Sequence, residues 1–276
     1  MMQIFNMNQA KEWNNLVQSF TNYDVYYLSG YVKAFQIHGD GEPQLFYYDE
    51  KGLRGIYVYM KRKTAIEGVF DSITPYGYGG FLLEGDTSEE NVKALWAAYV
   101  DRMKEENIVD NFVRYHPVLA NAVPMKTCSD VIDLGKTVAM DLTSEEVIWK
   151  NIHSKNRNMI RKAEKNGIVI KHGQGLELFD DFIKIYNATM DKDNAEAYYY
   201  FKPEFYKSIH EDLKDNYEMF WAEYEGKIIA MSIMIFANGR LNYHLSGSDL
   251  QYRNLAPSNL LLYKAAMWGM EKGMNT

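Results

Sequence analysis

A chain of 276 residues with 47% apolar content has material for more than one core, so two domains are expected. Its net charge of −7 is uneven: residues 1–135 hold 12 Lys and Arg against 18 Asp and Glu, residues 136–276 hold 18 against 19, which excludes a chain-wide DNA-binding surface. Cys128 is the only cysteine, which excludes an internal disulfide and a multi-cysteine metal centre, and the six histidines show no metal-ligand spacing.

The first residues, MMQIFNMNQAKEW, lack the apolar core of a signal peptide. The longest apolar run, Ile228 to Ala237, is about half of what a bilayer-spanning helix needs. A cytoplasmic protein is expected, with contact to a membrane surface left open.

Taken in order, residues 2–5 read as a strand and 10–20 as a short helix, followed by YYLSGYVKAFQIHG with Lys33 as its cation. Two β-rich runs flank Asp49-Glu50-Lys51-Gly52 and predict a hairpin. DSITPYGYGGFLLEG then sets Tyr76 and Tyr78 among Pro75, Gly77, Gly79 and Gly80. Such a loop lets a backbone approach a ligand, or simply turns tightly between elements. An amphipathic helix is expected over 88–106, then a strand as far as His116, where Pro117 interrupts it.

The stretch Thr137–Gly173 reads as strand (TVAMDL), one long helix begun at Ser144 and stopped at Gly167, and strand (IVIKHG). On that single helix Trp149, Ile152, Asn156, Met159, Ile160 and Ala163 share one face. Lys150, Ser154, Arg157, Arg161 and Lys165 form a stripe nearly opposite, with Lys155 close by. Only Glu164 balances the cations between Lys150 and Lys165, so the row suits phosphate groups as well as plain solvation. Helices near 176–190 and ending near Leu213 follow. Three antiparallel strands then turn at Glu225-Gly226 and Asn238-Gly239, and Pro257 starts a last helix. Each half thus repeats helices, meander and a further helix, which predicts an α/β (α+β) fold with mixed sheets used twice, over 1–135 and 136–276.

Four segments together resemble the Fem family of peptidoglycan-bridge aminoacyltransferases, in order and spacing over residues 25–273. They are Thr74-Pro75-Tyr76-Gly77-Tyr78-Gly79-Gly80; Arg114-Tyr115-His116-Pro117; Lys155-Asn156-Arg157 with Ile160-Arg161-Lys162-Ala163; and Tyr243-His244-Leu245-Ser246-Gly247-Ser248 leading to Pro257-Ser258-Asn259-Leu260-Leu261. The resemblance implies two tandem GNAT-like domains of the compact type without a coiled-coil arm, the second incomplete at its C-terminal side. It implies transfer of an amino acid from aminoacyl-tRNA to an amine of a UDP- or lipid-linked muropeptide precursor, with contact at the inner membrane face. No cofactor or metal is implied. Lys33 and Arg157 would meet phosphates, joined by Tyr76, Tyr78, Lys155 and Arg161 as substrate contacts. His116 stands where many members carry an acid; with Tyr243 and His244 it is a candidate for moving protons, although strand residues of these types are more often structural. Aminoacyl transfer needs no enzyme nucleophile, so the absence of a Ser/His/Asp constellation is no objection.

Two alternatives stay open. A GNAT-type N-acyltransferase would use a CoA thioester and cradle its pyrophosphate at a helix start. Here Arg253-Asn254-Leu255-Ala256-Pro257-Ser258 replaces the first glycine by alanine, and Pro257 lacks an N–H. An inactive binding protein of the same fold is the other.

Overall fold

A computed structural model describes residues 1–276, which divide into two compact units, Met1–Thr137 and Val138–Thr276. No helix is long and apolar enough to cross a membrane.

The first unit runs β1 (Met2–Asn6), α1 (Ala10–Gln18), a one-turn 3-10 helix (Val25–Tyr27), α2 (Ser29–His38), β2 (Glu42–Glu50), β3 (Leu53–Lys63), β4 (Phe70–Ile73), β5 (Leu82–Gly85), α3 (Glu89–Glu105) and β6 (Ile108–Phe112). The sheet order is β1-β2-β3-β4-β6, with β5 also on β3; β6 is parallel to β4 and every other pair is antiparallel. The β2–β3 hairpin closes through Lys51 (φ 53°) and Gly52 (φ 77°), the left-handed pair that a two-residue hairpin loop requires. The strand expected as far as His116 ends at Phe112; beyond it only Tyr115 bridges to Gly79, because the chain there follows the glycine loop instead.

β3 is buried almost throughout, since both of its faces are covered. Tyr57 and Tyr59 pack with Phe46, Tyr48 and Phe81 against Val92, Leu95, Tyr99 and Met103 of α3. Each such fully buried side chain contributes roughly 1.5–3 kcal/mol. The Trp13 indole of α1 donates to the Tyr27 carbonyl at 2.8 Å, tying α1 to the 3-10 turn that precedes α2.

The second unit runs α4 (Glu145–Asn151), α5 (Ser154–Lys165), β7 (Val169–Gly173), α6 (Leu178–Lys192), α7 (Pro203–Asp212), β8 (Tyr217–Tyr224), β9 (Lys227–Ala237), β10 (Arg240–Ser248) and α8 (Pro257–Glu271). Its sheet, β10-β9-β8-β7, is wholly antiparallel rather than mixed. The turns Glu225-Gly226 and Asn238-Gly239 are again paired left-handed residues. One face packs on Ile148, Ile160 and Ala163 of α4 and α5 and on Leu260, Leu261 and Trp268 of α8. The other carries α6, and Gly247 lies so close that a Cβ there would come within 2.7 Å of the Ile185 carbonyl. A repeat is visible: each unit has a strand, two helices, a run of antiparallel strands (β2–β5 in the first, β8–β10 in the second) and a helix, in that order.

Two expectations are corrected here. Residues 137–142 are not a strand; their backbone bonds to the rest of the chain through Leu142 N, which donates to the Asn275 carbonyl at 3.0 Å. The single long helix is two. Ile152 is extended (φ −68°, ψ 128°), and His153 caps α5, its Nδ1 accepting from Lys155 N at 3.3 Å. Asn156, expected on the packed face, is therefore exposed.

Candidate functional site

In the first unit the loop Thr74–Gly80 is held from every side. Tyr31 Oη donates to the Tyr76 carbonyl at 2.6 Å, and Tyr27 Oη to the Gly80 carbonyl at 3.1 Å. The Gly79 carbonyl accepts from Asn121 Nδ2 at 2.8 Å and from His116 N at 3.0 Å, while Gly79 N donates to the Arg114 carbonyl at 2.8 Å. Gly77 (φ 90°) and Gly80 (φ 94°) supply left-handed backbone, and a Cβ on either would stand 2.5 Å from a ring carbon, of Tyr26 or Tyr115. The glycines thus have a complete structural reason. What the loop presents is a pair of half-buried rings. Tyr76 stacks on Phe35 of α2 at 5.6 Å; Tyr78 stands edge-on to Tyr26 at 5.7 Å and against His116 at 5.6 Å. Lys33 is half-buried and leaves α2 on a different face from Tyr31 and Phe35, which support these rings.

His116 is buried, with Nε2 2.9 Å from Asp24 Oδ2 and Nδ1 accepting from Val118 N and Leu119 N at 3.2 and 3.3 Å. Both ring nitrogens are engaged within the chain, and the lone pair on Nδ1 is already taken up by two backbone N–H groups rather than turned to a substrate. Its role as a proton carrier, expected from its position before Pro117, is not what this geometry provides. Asp24 and Asn121 escaped the sequence reading. The signal was there for Asp24: a lone acid inside the apolar run YDVYYL must be buried with a partner or head a turn, and it does both.

In the second unit the break between α4 and α5 defines the site. Arg157 reaches back across it: Nη1 donates to the carbonyls of Trp149 (3.3 Å), Lys150 (3.2 Å) and Ile152 (2.6 Å), closing the C-terminal end of α4. Its Nε and Nη2 make no hydrogen bond within the chain. Arg161, one turn on, lies over the Trp149 ring at 5.1 Å, and Trp149 meets Tyr263 of α8 edge-on. Lys155, Arg161, Lys162 and Lys165 are exposed, and no carboxylate of the chain pairs with them or with Lys150 and Arg157; the one acid of α5, Glu164, faces Lys264 at 3.5 Å. The cations are a net positive ridge.

Tyr243 and His244 sit on β10, where a bulge between Tyr243 and Leu245 shifts the register against β9. β10 is the edge strand of its sheet, and the C-terminal residues run along its start, Leu241 N donating to the Thr276 carbonyl at 2.7 Å. Desolvation pushes the Tyr243 phenol up, with the Ser246 hydroxyl opposing it, so it keeps its proton and remains a donor. Desolvation pushes the His244 imidazole down to about 3. The residue as a whole is only half-buried, but its Nε2 is shielded from solvent, and the ring atoms decide the shift. His244 is therefore neutral at physiological pH and a poor base. The structure groups Tyr76, Tyr78 and His116 in one unit, and Lys155, Arg157 and Arg161 on one helix of the other, with Tyr243 and His244 on a strand.

Residues 150–276 match the family model of the acetyltransferase (GNAT) domain. No curated relative matches the chain at the sequence level. Among solved structures, the crystal structure of FemX superposes with a TM-score of 0.71 at 14% identity, over 100% of this chain and 87% of FemX. The C-terminal domain of a proposed lysylphosphatidylglycerol synthetase from Agrobacterium fabrum follows at 0.60 and 12%, over 98% and 76%. A conserved protein of unknown function from Bacteroides thetaiotaomicron gives 0.55 and 12%, over 99% and 88%. At these identities the likeness is one of fold: the chain has the tandem, GNAT-like, FemX-type architecture that its motifs led one to expect.

Proposed function

We propose that this protein of Fem-like GNAT fold is an N-aminoacyltransferase, moving an amino acid from aminoacyl-tRNA to an amine of a UDP- or lipid-linked muropeptide precursor. The observation that carries the reading is the α5 ridge, a row of cations that nothing in the chain neutralises. A diphosphate is the natural occupant: Arg157, fixed by three carbonyls, offers Nε and Nη2 as a pre-oriented fork, and Lys155 and Arg161 add charge on either side. Lys33 is assigned a phosphate contact from the resemblance alone, and Tyr76 and Tyr78 the sugar or peptide part.

In the reaction the precursor amine attacks the ester carbonyl, the C–N bond forms, the C–O bond to the tRNA ribose breaks, and the ammonium proton ends on the departing hydroxyl. Tyr243, protonated and beside a strand bulge, supports the reading as a donor to the developing oxyanion or to that hydroxyl. His244, neutral and shielded, shapes the wall next to it.

A second reading has one specific observation in its favour. Ala256 is left-handed (φ 58°) and the N-terminus of α8 has no side-chain cap, which leaves backbone N–H groups beyond Pro257 for an anion such as a CoA pyrophosphate.

Calorimetric titration of a UDP-linked muropeptide precursor tests the ridge. Arg157→Ala is expected to weaken binding about tenfold or more, the loss of a charge-assisted fork being worth about 1.5–3 kcal/mol. Equal affinity in the two proteins would remove Arg157 from the phosphate site.

A further inference from the structure

Asp24 and His116 are 92 residues apart in sequence, yet their side chains, 0% and 2% exposed, meet at 2.9 Å. A carboxylate carried this far from water costs several kcal/mol unless its surroundings answer it. Here they do. Oδ1 accepts from Val25 N at 2.6 Å, capping the 3-10 turn, and Oδ2 faces the imidazole. The tautomer follows from the hydrogen bonds: Nδ1 is approached by two backbone N–H groups and must hold the lone pair, so the ring proton is on Nε2 and is donated to Asp24.

The pair touches both walls of the aromatic loop. On one side, His116 N donates to the Gly79 carbonyl and to Asn121 Oδ1, and the imidazole backs Tyr78. On the other, Asp24 starts the turn carrying Tyr26 and Tyr27. Tyr26 stands edge-on to Tyr78, Tyr31 and the imidazole, while Tyr27 Oη holds the Gly80 carbonyl. Shifting the imidazole would move the support of Tyr78 and the 116–121 turn that grips Gly79.

We propose that Asp24 and His116 are positioning residues: together they fix Tyr78 and, through Tyr26 and the Tyr31 hydroxyl that holds the Tyr76 carbonyl, Tyr76 as the substrate-facing rings of the first unit, and the imidazole transfers no proton. This rests on the reading of those two tyrosines as substrate contacts. A carboxylate–imidazole pair does what an apolar contact could not, since it sets ring orientation as well as distance.

The test uses the full-length protein with His116→Gln, His116→Ala and Asp24→Ala. Gln keeps an N–H donor toward Asp24 but cannot carry a proton. With the UDP-linked precursor, His116→Gln is expected within about threefold of wild type in both kcat and KM. The two alanine variants should raise KM about tenfold or more, with a smaller change in kcat. Nitrogen NMR of His116 should show the Nε2–H form. A folded His116→Gln protein with kcat down a hundredfold at unchanged KM, or a proton on Nδ1, would overturn the proposal. Should wild type neither bind nor convert the precursor, the functional reading fails, and the positioning claim is judged by hydrogen exchange at the Gly79 and Arg114 amides. Faster exchange in His116→Ala but not in His116→Gln sustains the claim; equal exchange in all three ends it.

Discussion

Arg157 has one observed duty and one proposed duty, both carried by the same guanidinium. Nη1 closes the end of α4, a contact worth about 1 kcal/mol, so Arg157→Ala lowers stability modestly as well as removing the phosphate fork. Tyr243→Phe removes a hydroxyl and nothing else. The expected outcome is a fall in kcat of about a hundredfold with precursor affinity unchanged, since an oxyanion or leaving-group donor acts only in the transition state. A fall below threefold would take the phenol out of the chemistry. His244 gives a stability signature. Its folded pKa of about 3 lies below the ordinary 6.5, so between those values the unfolded chain binds a proton that the native protein refuses. Stability from this group is present above pH 6.5 and is lost as pH falls toward 3. In denaturant melts between pH 4 and 7, His244→Asn should show a shallower loss than wild type; parallel curves would mean that the ring is solvated.

At the scale of elements, the glycine loop and the broken helix decide the site. Gly77 combines a φ of 90° with ring contact that leaves no space for a methyl group. Gly77→Ala should cost at least about 2 kcal/mol by chemical denaturation and weaken precursor binding through displaced Tyr26 and Tyr78; a neutral melt would show that the loop relaxes freely. Strand and turn chemistry was legible in the sequence because it is local: Lys51-Gly52, Glu225-Gly226 and Asn238-Gly239 each announce a two-residue hairpin, and Ser144 and Gly167 mark helix ends. The break at Ile152-His153 was not, because 3.6-residue periodicity runs through KNIHSKNR without interruption. What breaks the helix is a side chain five residues on, Arg157 bonding the freed Ile152 carbonyl, together with the His153 cap. TVAMDL has strand composition but no partner strand, and pairing is a property of the sheet rather than of six residues. The Asp24–His116 contact spans 92 positions and left only the oddity of one acid among tyrosines to be noticed.

For the whole molecule, the net charge of −7 conceals the feature on which function is argued to depend: α5 is a basic island in an acidic protein. Exposed cations respond to salt, so binding of an anionic precursor should weaken as ionic strength rises toward 0.5 M. The proposed function rests on a fold shared with FemX and GNAT domains and on a cationic helix, and the acyl donor is where the two diverge. The most direct measurement supplies purified protein and a UDP-linked muropeptide with either aminoacyl-tRNA or acetyl-CoA as the sole acyl source, and weighs the product by mass spectrometry. A precursor heavier by one amino-acid residue is expected with the charged tRNA, and no product with acetyl-CoA. Acetylated precursor, or no product from either donor, would contradict the proposed function.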